Sequence, residues 1–454
     1  MRKYRKLILV QLLLAILMLT GCNGVLSSKD DDAVKTFADW TDNELFQNIP
    51  ALYDEESRIS EVADYGDETY MITINGTSLE QYESYLTTLE EVGFEKYVDN
   101  GAEGLDGCVY TATYLKDKLT LTVSHMVKTN ITYITASEKM QMSEHLFYKD
   151  EYVADNVEGA SHTLHLLELH TYGDSYVIQM KNGNFIMIDG GIELDTRYLL
   201  DYLETLVPEG QKPCIEAWFI THGHPDHIGP FKYFMGDLKQ AGRITVEGVY
   251  FTEPSQKVSS TYGTATGNVQ IGTKALQTKD GERTPFYRPQ TGQRYYFNDI
   301  TIDIVHTQEQ LLFEDYEHNF NDSSSWYMFT IDGQKFLDAG DASEGGISVV
   351  KRTYNQEYFD LDLLSVFHHG QNAFDSYVKY FSYKVAIYPT FIVGSQTANY
   401  QTEENQIIQD KALESMSWGD GTKVLTFPYQ IGTVKSLPMR DWIYDPLRET
   451  PVPY

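Results

Sequence analysis

Cysteine is nearly absent: Cys22, Cys108 and Cys214 are the only three in 454 residues. The last two lie far apart, in segments of different pattern, so a disulfide framework is not expected and stability must come from a packed core. Positive charge is also scarce, with 35 Lys and Arg against 66 Asp and Glu and a formal net charge of −31. Such a surface repels polyanions and anionic lipid at long range, which argues against a general nucleic-acid binder, although a bound metal can invert the field locally. No internal repeat stands out at a fixed period. Neither a Gly-x-Ser-x-Gly elbow nor a phosphate-cradling P-loop is present, so any chemistry must come from another constellation.

What the chain does have is ordinary globular composition, 42% hydrophobic and 22% charged, and enough length for two or three domains. Tyrosine is frequent, at 34 residues, which suits wet amphipathic surfaces or carbohydrate-like and cationic ligands.

The first residues stand apart. Arg2, Lys3, Arg5 and Lys6 precede an apolar run over residues 7–19, too short to span a bilayer, and then comes Leu19-Thr20-Gly21-Cys22. This resembles the lipobox of bacterial lipoprotein signal peptides. The resemblance implies cleavage before Cys22, lipidation of Cys22, and a protein anchored on the extracytoplasmic face of the cell membrane. An ordinary secretory signal with a chance cysteine is the plainer alternative, and it too exports the protein.

Residues 22–60 are polar and acidic, beginning with Ser27-Ser28-Lys29-Asp30-Asp31-Asp32, and read as a tether. Residues 61–150 read as a small α+β accessory or docking domain. A strand over 69–74 precedes a helix opened by a Ser78/Gln81 capping box and stopped at Gly93; strands over 108–115, 119–125 and 131–135 complete a β-α-β-β-β unit. This unit has no cluster of titratable groups with ligand spacing, and His125 reads as a surface histidine.

From residue 160 to about 440 strands and helices interleave. A hairpin turns at Asn182-Gly183, a helix covers 196–206, and a short apolar strand covers 215–220. A strand over 244–251 and hairpins turning at Asn298-Asp299 and Asp332-Gly333 follow. Residues 252–293 are rich in Ser, Thr, Gly and Gln, and read as a poorly structured insertion that overhangs a site.

The chemistry concentrates in "THGHPDHIG", residues 221–229, directly after the strand over 215–220. A strand that ends there delivers a loop to the edge of a sheet, where side chains converge on a pocket. His222 and His224, two apart, can point the same way. A turn through Gly223 and Pro225 presents Asp226 and His227 on the other side, so one loop can hold two ions. Three imidazoles and a carboxylate suit zinc, or iron or manganese.

Thr-His-x-His-x-Asp-His-x-Gly resembles the signature of the metallo-β-lactamase superfamily, and further landmarks follow in order over roughly residues 160–430. These are Gly173-Asp174-Ser175 and Asp189-Gly190-Gly191, "FLDAGDA" with Asp341, and "DLLSVFHHG" with His368 and His369. The resemblance implies an α+β chain carrying an αββα sandwich, with two zinc ions as the expected cofactor. His222 and His224 would hold the first ion, Asp226 and His227 the second, and Asp341 both. His369 would complete the second site, preferred over His368 because the preceding apolar strand should end just before the ligand. Asp189 reads as holding the loop by hydrogen bonds, Asp338 as serving the strand surface, and His306 as structural.

One departure stands out. Many relatives supply a third histidine to the first ion just before the strand leading to the bridging Asp, whereas here the stretch is "EHNFNDSSSW", offering His318, Asn319, Asn321 or Asp322. That stretch, with "GD" and "HHG", resembles the branch that includes the hydrolase domain of competence-type DNA-uptake proteins and the phosphorylcholine esterases. The branch implies phosphodiester hydrolysis, on small molecules or envelope polymers, by an activated water that Asp226 orients; Asn321 and His368 would then lie around the ligands or against substrate. A β-lactamase or lactonase, or a non-catalytic sensor that binds a metal or ligand, are the alternative expectations.

Overall fold

The computed structural model describes residues 43–439 except 53–57, 66–67, 147–154, 171–172, 255–266, 308–319, 372–378 and 391–401. The leader and Cys22 therefore lie outside the described residues, as do His318 and Asn319.

The first sheet contains β1 (Arg58–Asp64), β2 (Thr69–Asn75), β3 (Glu95–Asp99), β4 (Val109–Lys116), β5 (Leu119–Met126) and β6 (Ile131–Ser137), antiparallel in the order β1-β2-β6-β5-β4-β3. Two strands more than the expected unit are present, β1 and β3, both at the edges, where partial exposure weakens the alternation that marks a strand. Helix α1 (Leu79–Glu91) opens with the expected capping box of Ser78 and Gln81. It covers one face, where Leu121, Val123, Ile134, Tyr82, Tyr85 and Leu89 form a buried cluster.

The opposite face of this sheet is threonine-rich and buried as well. Thr111 Oγ1 and Ser124 Oγ donate to Thr291 O at 3.0 and 2.9 Å, and Thr135 Oγ1 donates to Gln290 Oε1 at 3.0 Å. These hydroxyls hydrogen-bond to the rest of the chain, so this polar face is buried with partners for its hydroxyls. His125 lies on the α1 face, stacked on Tyr82 at a ring separation of 5.5 Å, contrary to the surface position expected: it is fully covered, bonded through Nδ1 to Thr132 Oγ1 at 2.9 Å, and burial pushes its pKa down to about 4.

Two further sheets face each other. The second runs through β7 (Thr163–Leu166), β8 (Ser175–Gln179), β9 (Phe185–Asp189), β10 (Cys214–Phe219), β11 (Thr245–Val246), β12 (Val249–Tyr250) and β13 (Phe286–Tyr287). The third is β14 (Arg294–Phe297), β15 (Ile300–His306), β16 (Trp326–Ile331), β17 (Gln334–Asp338), β18 (Asp360–Ser365), β19 (Ser382–Tyr388) and β20 (Glu414–Ser417), adjacent in sequence order. The chain then returns to the second sheet as β21 (Lys423–Thr426), beside β7, and β22 (Lys435–Ser436).

Adjacent residues of β10 show the layering. Phe219 points inward to Tyr327 and Phe329 of β16, at ring separations of 5.1 and 6.0 Å, while Trp218 points outward to Phe231 at 4.9 Å. Phe231 lies on α3 (Pro225–Gly236), which with α2 (Thr196–Thr205) covers the second sheet, and the one-turn α4 (Leu238–Ala241) follows it. Ile347 and Val350 of α6 (Glu344–Thr353) join Leu337, Leu361 and Leu364 in the core outside the third sheet. Two sheets with helices outside give the αββα arrangement expected from the sequence.

Two expectations change in detail, those for residues 252–293 and for the tether. Residues 267–293 are not a loose insertion: α5 (Gly267–Thr273) packs on α3, and β13 adds an edge to the second sheet. The two cysteines are free among the described residues. The expected tether ends early, because the 3-10 turn Glu44–Asn48 sits in the first sheet's core with Phe46 fully buried. Replacing Phe46→Ala should therefore lower the unfolding free energy by about 3–5 kcal/mol, measured by urea denaturation; a change within about 0.5 kcal/mol would mean that this segment belongs to the tether.

Candidate metal centre

Strand β10 is parallel to both β9 and β12, so all three end on one edge of the second sheet. Beyond Phe219 the chain passes through Thr221, His222 and Gly223 to His224, the residue before α3. The second half of the motif was expected to be loop, but α3 begins at Pro225. Proline suits the first helical position because its missing N–H would have no intrahelical partner there. Asp226 and His227 thus occupy the first helical turn, which holds them more firmly than a loop would.

Asp189, at the end of β9, fastens this turn. Its Oδ1 accepts from Thr221 N at 2.8 Å, and its Oδ2 accepts from Thr221 Oγ1 at 2.5 Å and meets His227 Nδ1 at 2.7 Å. A proton on Nδ1 shared with this carboxylate leaves His227 Nε2 as a lone pair directed into the site. Gly229 makes the close approach possible: it bonds to Gly191 O at 3.0 Å, and a Cβ there would lie 2.1 Å from Ile192 C.

Two other segments complete the site. After β17 the chain turns at Gly340, at φ 50°, where a Cβ would lie 2.5 Å from Thr221 Oγ1; the turn delivers Asp341, whose N bonds to Ser324 Oγ at 3.2 Å. After β18, His368 and His369 both adopt left-handed backbone, at φ 52° and 57°. Consecutive non-glycine residues in that region cost on the order of 1–3 kcal/mol each and concentrate at functional sites.

The six side chains converge as two groups that share Asp341. One is His222, His224 and Asp341; the other is Asp226, His227, Asp341 and His369. Within the first, His222 Nε2 lies 3.0 Å from His224 Nδ1 and 3.7 Å from Asp341 Oδ2. Within the second, Asp341 Oδ1 lies 3.3 Å from His227 Nε2 and 3.2 Å from His369 Nε2, and Asp226 Oδ2 lies 3.3 and 3.9 Å from His369 and His227. Donors about 2.0–2.1 Å from a tetrahedral ion stand roughly 3.3–3.4 Å from one another, so these spacings fit a cation at each centre. The buried polar atoms agree: His227 Nε2 and Asp341 Oδ1 face each other without a hydrogen bond. Such atoms are costly to bury unless something coordinates them.

His368 stands on the first group's side, its Nε2 3.7 Å from Asp341 Oδ2 and 3.3 Å from Asn321 Nδ2. Of the four residues that could fill the missing histidine's place, Asn321 therefore lies next to the site. Asp322 does not: its Oδ1 accepts from Ser343 N and Gly346 N at 2.9 and 3.0 Å, capping α6. His306 is buried at the end of β15, edge-on to Trp326 at 6.3 Å, and joins neither group.

Burial opposes charge throughout this centre. Burial tends to raise the Asp341 carboxyl, but His369, His227 and His368 outweigh it and hold the group well below its usual range. The same contest runs the other way at His369, where burial is overcome by Asp341 and Asp226 and the pKa rises to about 10.

Beneath the centre lies a layer whose role sequence reading missed. Asp338, expected on the strand surface, is fully buried; burial and then Asp189 push its pKa up to about 7. Asp174 is also buried, and burial with the nearby Asp338 raises it well above the carboxylate range. A signal existed for Asp174, in the Gly173-Asp174-Ser175 landmark. For Asp338 the sequence holds none, since an acid after two buried apolar residues reads equally well as an exposed strand end.

Because Asp189 holds His227 through Nδ1, Asp189→Asn should weaken zinc at the second group by about 10–100-fold while the first is little changed. Competition with a chromogenic chelator would measure this, and equal weakening of both steps would contradict the assigned geometry.

Residues 170–373 match the metallo-beta-lactamase superfamily. Comparison with curated proteins returns no match. Among solved structures, a metallo-β-lactamase with a HARLDQ motif from Cronobacter sakazakii aligns at 15% identity and a TM-score of 0.27, over 42% of this chain and 66% of its own. Zinc-bound PqqB from Methylobacterium extorquens aligns at 9% identity and 0.29, over 45% and 71%. A β-lactamase domain protein from Burkholderia ambifaria aligns at 16% identity and 0.24, over 38% and 51%. This chain thus spans just under two thirds of the first of these and about half of the last. The family match, the αββα layers and the shared Asp341 together identify residues 170–373 as a metallo-β-lactamase superfamily domain.

Proposed function

We propose that this protein is an extracytoplasmic metallohydrolase that cleaves phosphodiesters of envelope or environmental polymers, carried on the membrane by a lipid on Cys22. The observation that carries the hydrolase reading is the pair of donor groups joined through Asp341. Two divalent cations there, zinc by donor type, would neutralise a phosphoryl group, lower the pKa of a water and stabilise the leaving oxygen.

The chain's own residues supply the rest. The Asp226 side chain is 15% exposed and reaches the site's open side, so its carboxylate can accept a hydrogen bond from the attacking water and aim it. His368, 22% exposed, stands with Asn321 at the mouth, where a substrate oxygen can take the place of their mutual contact. Asp189 keeps His227 in one tautomer through the cycle. The phosphodiester preference rests on the resemblance of the 318–326 stretch and the paired histidines to the esterase branch.

Three measurements check this reading. Elemental analysis of the purified protein should give about two metals per chain, with turnover of bis-p-nitrophenyl phosphate and little of nitrocefin. Asp341→Ala should lose both ions and on the order of a thousandfold in rate, a barrier change of about 4 kcal/mol; nitrocefin turnover without diester turnover would move the assignment to lactam chemistry. Detergent phase partition should place the wild type in the detergent-rich phase and Cys22→Ser in the aqueous phase, and an unchanged partition would remove the lipid anchor.

A further inference from the structure

The turn that carries His368 and His369 is held from behind by a residue outside the metal centre. His368, His369 and Gly370 take left-handed backbone in succession, at φ 52°, 57° and 84°. Glycine enters that region freely, but two residues with side chains stay there only where their surroundings fix them. Two bonds lie within the turn, Gly370 N to Phe367 O at 3.0 Å and Gln371 N to His368 O at 2.7 Å. His368 N donates to Gly340 O at 3.0 Å and so ties the front of the turn to the loop that carries Asp341.

The back of the turn meets α7 (Glu403–Lys411). This helix is anchored outside the third sheet by Ile408, which is fully buried in one core with Phe381, Tyr383 and Tyr388. Strand β19 runs parallel to β18, so its last residue, Tyr388, ends on the same edge as the turn. Asparagine near a helix start usually serves as the N-cap. Here Thr402 is the cap, its Oγ1 accepting from Asn405 N at 3.1 Å, and the Asn405 side chain reaches across to the turn instead.

Asn405 Nδ2 donates to Gly370 O at 2.6 Å, and Asn405 Oδ1 accepts from Tyr388 OH at 3.4 Å. A carbonyl oxygen only accepts, so Gly370 sets which end of the amide faces it. At 1% exposure the bond is shielded from bulk water, where a hydrogen bond holds more firmly.

We propose that Asn405 is a positioning residue for the second cation: by pinning Gly370 O it keeps the left-handed turn in place, with His369 Nε2 3.2 Å from Asp341 Oδ1 and 3.3 Å from Asp226 Oδ2. The proposal rests on the reading that two cations share Asp341. Its effect is selective, because His222 and His224 come from the loop after β10, on the other sheet.

Stepwise zinc competition against a chromogenic chelator, on the whole protein, tests this. Wild type should take up two zinc ions in two resolvable steps. Asn405→Leu, similar in size but without the donor, should weaken the step that His369→Ala abolishes by about 10–100-fold and leave the other within about threefold. Asn405→Asp serves if the leucine variant does not fold: a carboxylate suits the first turn of a helix, yet it sets an oxygen against Gly370 O, and at about pH 8 it should give the same selective loss. Ile408→Val, which loosens α7 without touching the amide, should lower the melting temperature and leave both steps as in wild type. Unchanged steps in the Asn405 variants, equal weakening of both steps, or the same zinc loss in Ile408→Val would overturn the positioning role while the two-cation reading stands. Fewer than two zinc ions in wild type would overturn both.

Discussion

The architecture depends on burying the carboxylate of Asp341 among imidazoles. A lone carboxylate at 3% exposure would be costly, and it persists here because His222, His227, His368 and His369 surround it at 3.2–3.7 Å. The constraint reaches outward from that point. Close approach of Asp341 to the histidine loop requires glycine at 340, and the loop itself needs Asp189 to hold Thr221 and His227. The turn after β18 must enter left-handed backbone to bring His369 to the same oxygen. Each sheet contributes one side of this contact, so the facing of the two sheets and the assembly of the centre are one event.

The same layering explains the carboxylates beneath. Asp174, Asp189 and Asp338 are buried within a few side chains of a centre built to attract positive charge. Two divalent ions above would make that layer favourable, whereas without them it works against folding. A metal that binds the folded form alone would therefore stabilise this domain.

Much of this was legible in the chain. The histidine motif, Asp189, Asp341 and the paired histidines are spread from Asp189 to His369, yet each follows an apolar strand, and parallel strands bring their ends to one edge. What could not be read follows from tertiary context. Asp226 and His227 sit on a helix because Pro225 starts it, a placement that the glycine before it disguises as loop. The Thr face of the first sheet looks solvent-facing because hydroxyls carry no mark of whether water or Gln290 and Thr291 will satisfy them. Phe46 lies in an acidic stretch, and one aromatic among acids does not announce that its short turn fills a core. Asn321 and Asp322 are neighbours of similar chemistry, and only the position of α6 separates a residue at the metal site from a helix cap.

The first sheet also packs closely against the rest of the chain. It is covered by α1 on one face and by residues 288–294 on the other, and it shares a core with the third sheet through Met71, Val109, Met126 and Tyr133. The central claim remains the pair of cation positions around Asp341. Anomalous diffraction at the zinc absorption edge, from crystals of the protein grown with zinc, tests it most directly. The account predicts two peaks about 3.5–4 Å apart, one on each oxygen of Asp341, the first beside His222 and His224 and the second beside Asp226, His227 and His369. A single peak, or zinc bound elsewhere while Asp341 stays paired only with imidazoles, would contradict it.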